Sequence, residues 1–366
     1  MRFTVTQDRL IKPLQRVVNV VERRQTKPIL GNILLSLKDD ELTLTSTDLE
    51  IEMRTQLTVS NSSPGEVTVP ARKLLDITRS LPTDADVSFS LDKQRAVLTA
   101  GRSRFTLSTL PASGYPNVEI ANAHASFTLP EKVLAAALDR TAFAMAQQDV
   151  RYYLNGMLME ISDEGLRLVA TDGHRLAICD LPEHANDIEN QRIIIPRKGI
   201  QELGRLLADS SGESTVTLGS NFIQVGTDNG SFISKLINGI YPDYHNVIPQ
   251  TGECNAICDR EDLRSALVRV GILSNEQYRG VRMRFSAECL ILTANNPEHE
   301  EAEEELAIEY AAADLDIAFN VAYLIEALSV CEGDKVKINL TDSNSCCLIE
   351  PVEACNCRYI VMPMRL

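Results

Sequence analysis

The chain has 366 residues, 44% of them hydrophobic and 24% charged, a composition that suits two or three soluble globular domains. No stretch approaches the ~18 uncharged apolar residues that a membrane span requires, so no membrane association is expected. The formal charge of −15, from 51 acidic and 36 basic residues, argues against an open nucleic-acid-binding face but not against cations gathered on one surface.

At the start, "MRFTVTQDRL" carries a charge at Asp8 and no apolar h-region, so no signal peptide is expected and the cytoplasm is the expected compartment. An amphipathic helix follows, with Leu10, Leu14, Val17 and Val21 at i, i+4, i+7 and i+11. Its polar face carries Arg9, Lys12 and Arg16, with Arg23 and Arg24 at its end. "LTLTSTD" and "RFTLSTL" alternate with period two and predict half-buried strands. Between them "VPARKLLDITRSL" predicts a second helix bearing Arg72, Lys73 and Arg79.

This order then returns twice. Leu42, Leu166 and Leu290 stand 124 residues apart each time, and so do Thr47-Asp48, Thr171-Asp172 and Asn295-Asn296. "VPARKLLDITRSL" matches "IPRKGIQELGRLL" and "FNVAYLIEALSVC", and "YPN" at 115–117 matches "YPD" at 241–243. So long a period means three whole domains rather than a solenoid. They are expected at 1–125, 126–253 and 254–366, each α+β, with two helices on an antiparallel sheet.

The repeat bears on "ATDGHRLA", where Asp172 and His174 suggest acid–base chemistry. The first copy has Thr47-Asp48-Leu49-Glu50 at the same place, so the shared Thr-Asp reads as a turn in which Asp bonds the backbone two residues on. What is particular to the second copy is Gly-His-Arg-Leu.

Basic residues recur on the equivalent helices: Lys132, Arg140, Arg197, Lys198 and Arg205 in the second repeat, Arg260, Arg264 and Arg269 in the third. Their repetition predicts a continuous basic lining suited to phosphate. Acid concentrates in "EHEEAEEELAIE", with Glu298, Glu300, Glu301, Glu303, Glu304 and Glu305, opposite in sign to Arg102 and Arg104 of "GRSRF". An acidic last repeat and a basic first repeat suggest head-to-tail assembly, which closes into a ring if the rotation permits. The nine cysteines include no CxxC pair and are expected to be reduced structural thiols, with no metal and no cofactor.

"PILGN", "TDLE", "VPARK", "SRFTLSTLP", "QDVRYYLNGM", "ATDGHRLA", "YPDY", "ILSNE", "ANNPE", "EEAEEE" and the terminal "YIVMPMRL" together resemble, end to end, the bacterial sliding clamp, the beta subunit of the replicative DNA polymerase. The resemblance implies a DNA clamp fold: a head-to-tail homodimer forming a six-domain ring around duplex DNA, helices inside, without catalysis. Implied partners are DNA polymerases, the clamp loader and mismatch-repair and other replication proteins.

The resemblance also implies a peptide-binding groove. Its walls would be Leu154, Thr171, Gly173, His174, Arg175, Leu176, Pro242 and Val247, with Asn320, Tyr323, Asn344, Cys346, Ile360, Met362, Pro363, Met364, Arg365 and Leu366 from the last repeat. Asn246, Asn344 and Cys346 depart from the family pattern at its rim and would alter how partner peptides rank. DNA contact is implied for Arg24, Arg72, Gln148, Tyr152, Tyr153, Arg197 and Lys198. At the dimer interface Phe105 and Leu107 are expected against Ile272 and Leu273 of a second copy, flanked by Arg102 and Arg104 facing Glu298, Glu300, Glu301 and Glu304.

Two other function classes compete with this reading. An enzyme would use Asp172 with His174, or the glutamates with a divalent metal, but the chain has no P-loop, HExxH, GxSxG or GxGxxG motif. A protein-interaction scaffold would keep the groove without needing the basic helices.

Overall fold

A computed structural model describes all residues except 23–26, 119–121, 186–187, 209–210, 250–253, 354 and 366. The three repeats share one element order, except that the first carries one extra short strand, Ser60–Ser63. The first runs β1 (Arg2–Thr6), α1 (Gln7–Val18), β2 (Asn32–Lys38), β3 (Glu41–Thr47), β4 (Ile51–Thr58), β5 (Ser60–Ser63), β6 (Gly65–Pro70), α2 (Ala71–Ser80), β7 (Asp86–Asp92), β8 (Arg95–Ala100) and β9 (Ser103–Ser108). The second has β10 (Ala123–Pro130), α3 (Glu131–Ala142), β11 (Gly156–Ser162), β12 (Gly165–Thr171), β13 (Arg175–Leu181), β14 (Gln191–Pro196), α4 (Arg197–Leu207), β15 (Glu213–Gly219), β16 (Phe222–Thr227) and β17 (Gly230–Lys235). The third has β18 (Cys254–Asp259), α5 (Arg260–Gly271), β19 (Gly280–Ser286), β20 (Cys289–Asn295), β21 (Glu301–Ala307), β22 (Leu315–Asn320), α6 (Val321–Val330), β23 (Lys335–Leu340), β24 (Cys347–Pro351) and β25 (Cys357–Val361). No helix among the described residues is long and apolar enough to cross a membrane.

Strand pairing crosses the repeats. Contacts divide the chain into one unit of Met1–Ala135 with Lys198–Leu236 and another of Ala136–Arg197 with Ile237–Leu366. In the first unit β10-β15-β16-β17-β4-β3-β2-β6 form one eight-stranded sheet, β17 pairing antiparallel with β4 (Phe232 opposite Met53). In the second, β14-β11-β12-β13-β25-β24-β23-β18 form another, with β13 beside β25. Each unit also holds a shorter sheet: β5-β1-β7-β8-β9 in the first, β21-β20-β19-β22 in the second. The boundary expected at 125 falls inside β10, and 253 lies outside the described residues.

Local sequence explains most of these elements. Leu10, Leu14, Val17 and Val21 are all buried as the spacing requires, although α1 ends at Val18 and Val21 packs from the chain beyond it. Asp259 caps α5 by accepting the Asp262 N–H at 2.9 Å, and Asn320 caps α6 through Ala322 N–H at 2.9 Å. Strand β3 departs from simple alternation: Thr45, Ser46 and Thr47 are buried as well as Leu44, because it lies inside the sheet and its end is covered by Tyr115. Within β9, Leu107 is 7% exposed in the single chain and Phe105, on the same face, is half-buried.

Candidate binding groove

The site grows from one turn. Thr171 Oγ1 donates to Arg175 O (2.6 Å) and accepts Gly173 N–H (3.0 Å), while Asp172 Oδ1 accepts the N–H groups of His174 (2.9 Å) and Arg175 (3.1 Å). The first repeat builds the same turn: Thr47 Oγ1 donates to Ile51 O (2.7 Å) and accepts Leu49 N–H (3.0 Å), and Asp48 Oδ1 accepts Glu50 and Ile51 N–H. Each turn is also held by the tyrosine of its "YP" segment, Thr47 N–H donating to Tyr115 at 3.2 Å and Thr171 N–H to Tyr241 at 3.0 Å. The turn expected from the repeated Thr-Asp is therefore observed. Asp172 Oδ2 accepts Arg175 Nε (3.0 Å), so both carboxylate oxygens are engaged in building it.

Arg175 is enclosed. Its side chain is 11% exposed, donates to Phe143 O at 2.8 Å, pairs with Glu326, and lies 4.5 Å over the Tyr323 ring. Burial pushes this guanidinium below its usual range, opposed by Asp172. His174 is exposed and stacks on the same Tyr323, centroids 6.4 Å apart, and its carbonyl accepts Met362 N–H at 2.9 Å. Residues far apart in sequence thus form one wall.

Beside this wall is a cavity of about 170 Å³ lined by Leu154, Thr171, Gly173, Arg175, Leu176, Pro242, Val247, Ile360 and Met362, all expected, and by Arg151, Asp243 and Tyr244, which were not. On the same measure one water needs about 10–15 Å³, so this is room for a peptide side chain. Leu154, Leu176 and Ile360 are buried and form an apolar floor continuous with the core cluster around Tyr241 and Tyr244. Arg151 forms the rim: it pairs with Asp149 at 2.8 Å and donates to Asp172 O at 3.1 Å. Its presence was signalled only by the "QDVRYY" block. Tyr244 donates to Glu160 and accepts from Arg167 at 3.3 Å, and Asp243 is held low by its hydrogen bond to His245.

The other expected groove residues are not among those lining the cavity. Cys346 donates its thiol to Val247 O at 3.3 Å and packs on the same cluster, whereas Asn344 is exposed and bonds within its own turn. Asn320 is spent on the α6 cap, Asn246 donates to Asp243 at 2.9 Å, and Met364 N–H donates to Ala318 O at 2.7 Å. Pro363 and Met364 are half-buried, Arg365 is exposed, and Leu366 lies outside the described residues.

The expected DNA contacts divide. Arg24 lies outside the described residues. Three cations turn out to be engaged internally: Arg72 donates to Val21 O (2.8 Å), Arg197 to Met145 O (2.7 Å), and Lys198 to Val20 O (3.2 Å) and Glu22 (3.0 Å) as well as Asp48. Arg197 and Lys198 are half-buried, so they serve first as braces, while Arg72 remains exposed. The third-repeat cations Arg264 and Arg269 pair with Glu261 and Glu304, and Arg140 with Glu332. Exposed helix cations without an ion pair among the described residues are Arg9, Lys12, Arg72, Lys73, Arg79 and Lys132, of which Arg72 is held by a backbone carbonyl, so the basic lining is uneven. Gln148 sits at φ +57°, Tyr152 is 56% exposed with its hydroxyl on Asn238 O (3.0 Å), and Tyr153 leans on the cavity's core cluster.

At the expected interface Ile272 is 75% exposed at the end of α5 and Leu273 half-buried. Glu304 is already paired with Arg269, and Glu300 accepts from Asn296 at 2.7 Å, leaving Glu301 and Glu298 the more available acids. Among the described residues no group of three or more His, Cys, Asp or Glu is arranged to hold a metal ion.

Three family profiles cover the chain: the N-terminal, central and C-terminal domains of the DNA polymerase III beta subunit, at residues 1–119, 128–243 and 245–365. The beta sliding clamp of Pseudomonas aeruginosa is 48% identical over 367 residues, and that of Escherichia coli 45%, each covering 100% of both chains. The crystal structure of the Pseudomonas aeruginosa sliding clamp bound to griselimycin matches with a TM-score of 0.97 at 48% identity over 100% of both chains. A Caulobacter crescentus clamp matches at 0.95 with 34% identity, over 100% of this chain and 99% of the other.

Proposed function

The chain belongs to the DNA polymerase III beta subunit family, the bacterial beta sliding clamps, and from that premise we propose that it works as a DNA sliding clamp, a cytoplasmic head-to-tail homodimer that encircles duplex DNA and tethers polymerases without chemistry of its own. The observation that carries the assembly is a pair of unfinished sheets. Within the chain, each junction between repeats is an eight-stranded sheet built from halves of two repeats. The sheets ending in β9 and β21 are the halves left over, each with an open edge. Unpaired edges are templates for another strand. The β9 edge is flanked by Arg102 and Arg104, whereas Glu301, Glu303 and Glu305 are exposed on β21. Pairing β9 of one copy with β21 of another would complete a third sheet of the same kind, and doing so twice closes a ring.

Retention by encirclement asks little of direct affinity. A few exposed helix cations and Tyr152 suffice for weak, salt-sensitive contact with phosphate. Partner peptides from polymerases, the clamp loader and repair proteins would insert apolar side chains over Leu176 and Ile360, where a few such contacts carry most of the affinity. The test combines two measurements. Loaded protein should stay on nicked circular DNA and run off the same DNA once linearised; equal retention on both sinks the ring. Deleting "MPMRL" should abolish binding of a polymerase-derived peptide in fluorescence anisotropy while the dimer persists, and undiminished binding would move the groove elsewhere.

A further inference from the structure

Cys179 on β13 faces Cys357 on β25 in antiparallel register. Met362 N–H bonds His174 O and Asp180 N–H bonds Asn356 O, which places the hydrogen-bonded pairs at alternate positions and leaves Cys179–Cys357 between them. At such non-hydrogen-bonded pairs Cα atoms approach to about 4.5 Å. Disulfides span Cα separations of about 4.4–6.8 Å, so the backbone is already in range. The sulfurs are 2.8 Å apart, the Cys357 thiol donating to Cys179, and both side chains are buried.

Two residues away, Cys355 is half-buried and bonds Glu332 Oε2 at 3.4 Å. Arg140 pairs with Glu332 and also acts as a hydrogen-bonding cation toward Cys357. The hydrogen bond to Cys179 and burial hold the Cys357 thiol well above its ordinary range, and the Arg140 cation opposes that push without overcoming it, so Cys357 stays a protonated thiol. Among the described residues this is not a metal site.

We propose that Cys179 and Cys357 are a redox-convertible pair, joined by hydrogen peroxide into a cross-strand disulfide, with Cys355 as the solvent-facing thiol that takes up the oxidant. Peroxide transfers one oxygen to Cys355, giving a sulfenic acid and one water. The Cys357 thiol then displaces the sulfenic hydroxyl, which leaves as a second water, and forms a Cys355–Cys357 disulfide. Cys179 attacks the Cys357 sulfur and Cys355 departs as a thiol. Two thiols are oxidised and one peroxide is reduced. Burial raises the Cys355 thiol to about 11, so little thiolate is present at neutral pH and the conversion answers sustained rather than brief oxidant. The bond would tie the strand carrying Leu176 to the strand carrying Ile360, beneath the cavity.

The experiment uses the full-length protein. After hydrogen peroxide, free thiols are alkylated in denaturant and the chain is digested without reductant for mass spectrometry. The expected product is a Cys179 peptide joined to a Cys357 peptide, released by dithiothreitol, together with a higher melting temperature of the oxidised protein. Full alkylation of Cys179 and Cys357, or oxidation confined to sulfinic acid at Cys355, overturns the proposal, and so does a lowered melting temperature. Cys355→Ser should slow formation of the link several-fold; an unchanged rate removes Cys355 from the route.

Discussion

Arg175→Ala tests whether this side chain is a brace of the groove wall or a charge displayed to a ligand. It is 11% exposed and donates to Asp172 Oδ2 at 3.0 Å and Phe143 O at 2.8 Å, with Tyr323 beneath it at 4.5 Å. Hydrogen bonds to charged groups contribute about 1.5–3 kcal/mol each, and the cation–π contact about 0.5–2 kcal/mol. The pair with Glu326, whose side chain is 48% exposed, adds little. Against this gross gain stands the cost of burying the guanidinium. Asp172 also keeps two backbone N–H donors after the substitution, so it is not stranded. The net loss should be about 3 kcal/mol, the low end of what breaking an enclosed pair costs. Urea unfolding followed by circular dichroism measures it, with hydrogen exchange at β13 and α6 locating the loss. Arg175→Lys should recover little, because an ammonium cannot reach Asp172 and Phe143 O while lying flat on a ring. A loss below about 1 kcal/mol, or full rescue by lysine, would refute the brace and return Arg175 to the ligand side.

Gly173→Ala should cost about 1–2 kcal/mol for a left-handed residue, because Gly173 sits at φ +88°. It should weaken peptide binding further by pushing Arg151, 3.0 Å from the added methyl, across the cavity; calorimetric titration giving wild-type affinity would contradict this. Tyr244 is raised from 10.0 to about 12 by burial and by donating to Glu160. A phenol raised on folding stabilises fully below pH 10 and loses that contribution as pH climbs toward 12, so Tyr244→Phe should flatten, though not abolish, the fall of stability in that window. Alkaline unfolding curves of equal slope would exclude it. Leu107→Ala should lower stability by about 2–3 kcal/mol in thermal or urea unfolding, as a buried leucine does. Ile272→Ala with Leu273→Ala should instead give monomers in ultracentrifugation at nearly unchanged stability; a persistent dimer would displace the apolar patch.

Periodicity and repetition carried the fold a long way because they report one face at a time. The stripe from Leu10 to Val21, the two helices per repeat and the Thr-Asp turns all stand where spacing puts them. What spacing could not carry was which partner each face meets. Alternation alone assigns Leu107 and Phe105 to the same side of β9, yet their burial differs with position along the strand. Arg72, Arg197 and Lys198 read as outward cations, but each reaches a carbonyl from a distant segment, and a carbonyl leaves no mark in a sequence. Nor could the sequence show that β17 joins β4 and β13 joins β25, which turns three repeats into two sheet-linked units.

The comparison of repeats also separates what a fold needs from what a site needs. Gly173 at φ +88° would ordinarily be explained by its backbone, since glycine alone adopts that region freely. Leu49 removes that explanation: at the same place in the same turn it adopts φ +81° with a full side chain. The turn therefore tolerates the strain, stabilised by the Thr and Asp bonds and by the tyrosine behind it. The difference lies in what stands above the turn. Over Gly173 the Arg151 guanidinium lies within 3.1 Å of where a Cβ would be. Glycine at 173 thus makes room for the rim of the cavity, and the second repeat departs from the first where a ligand side chain would have to pass.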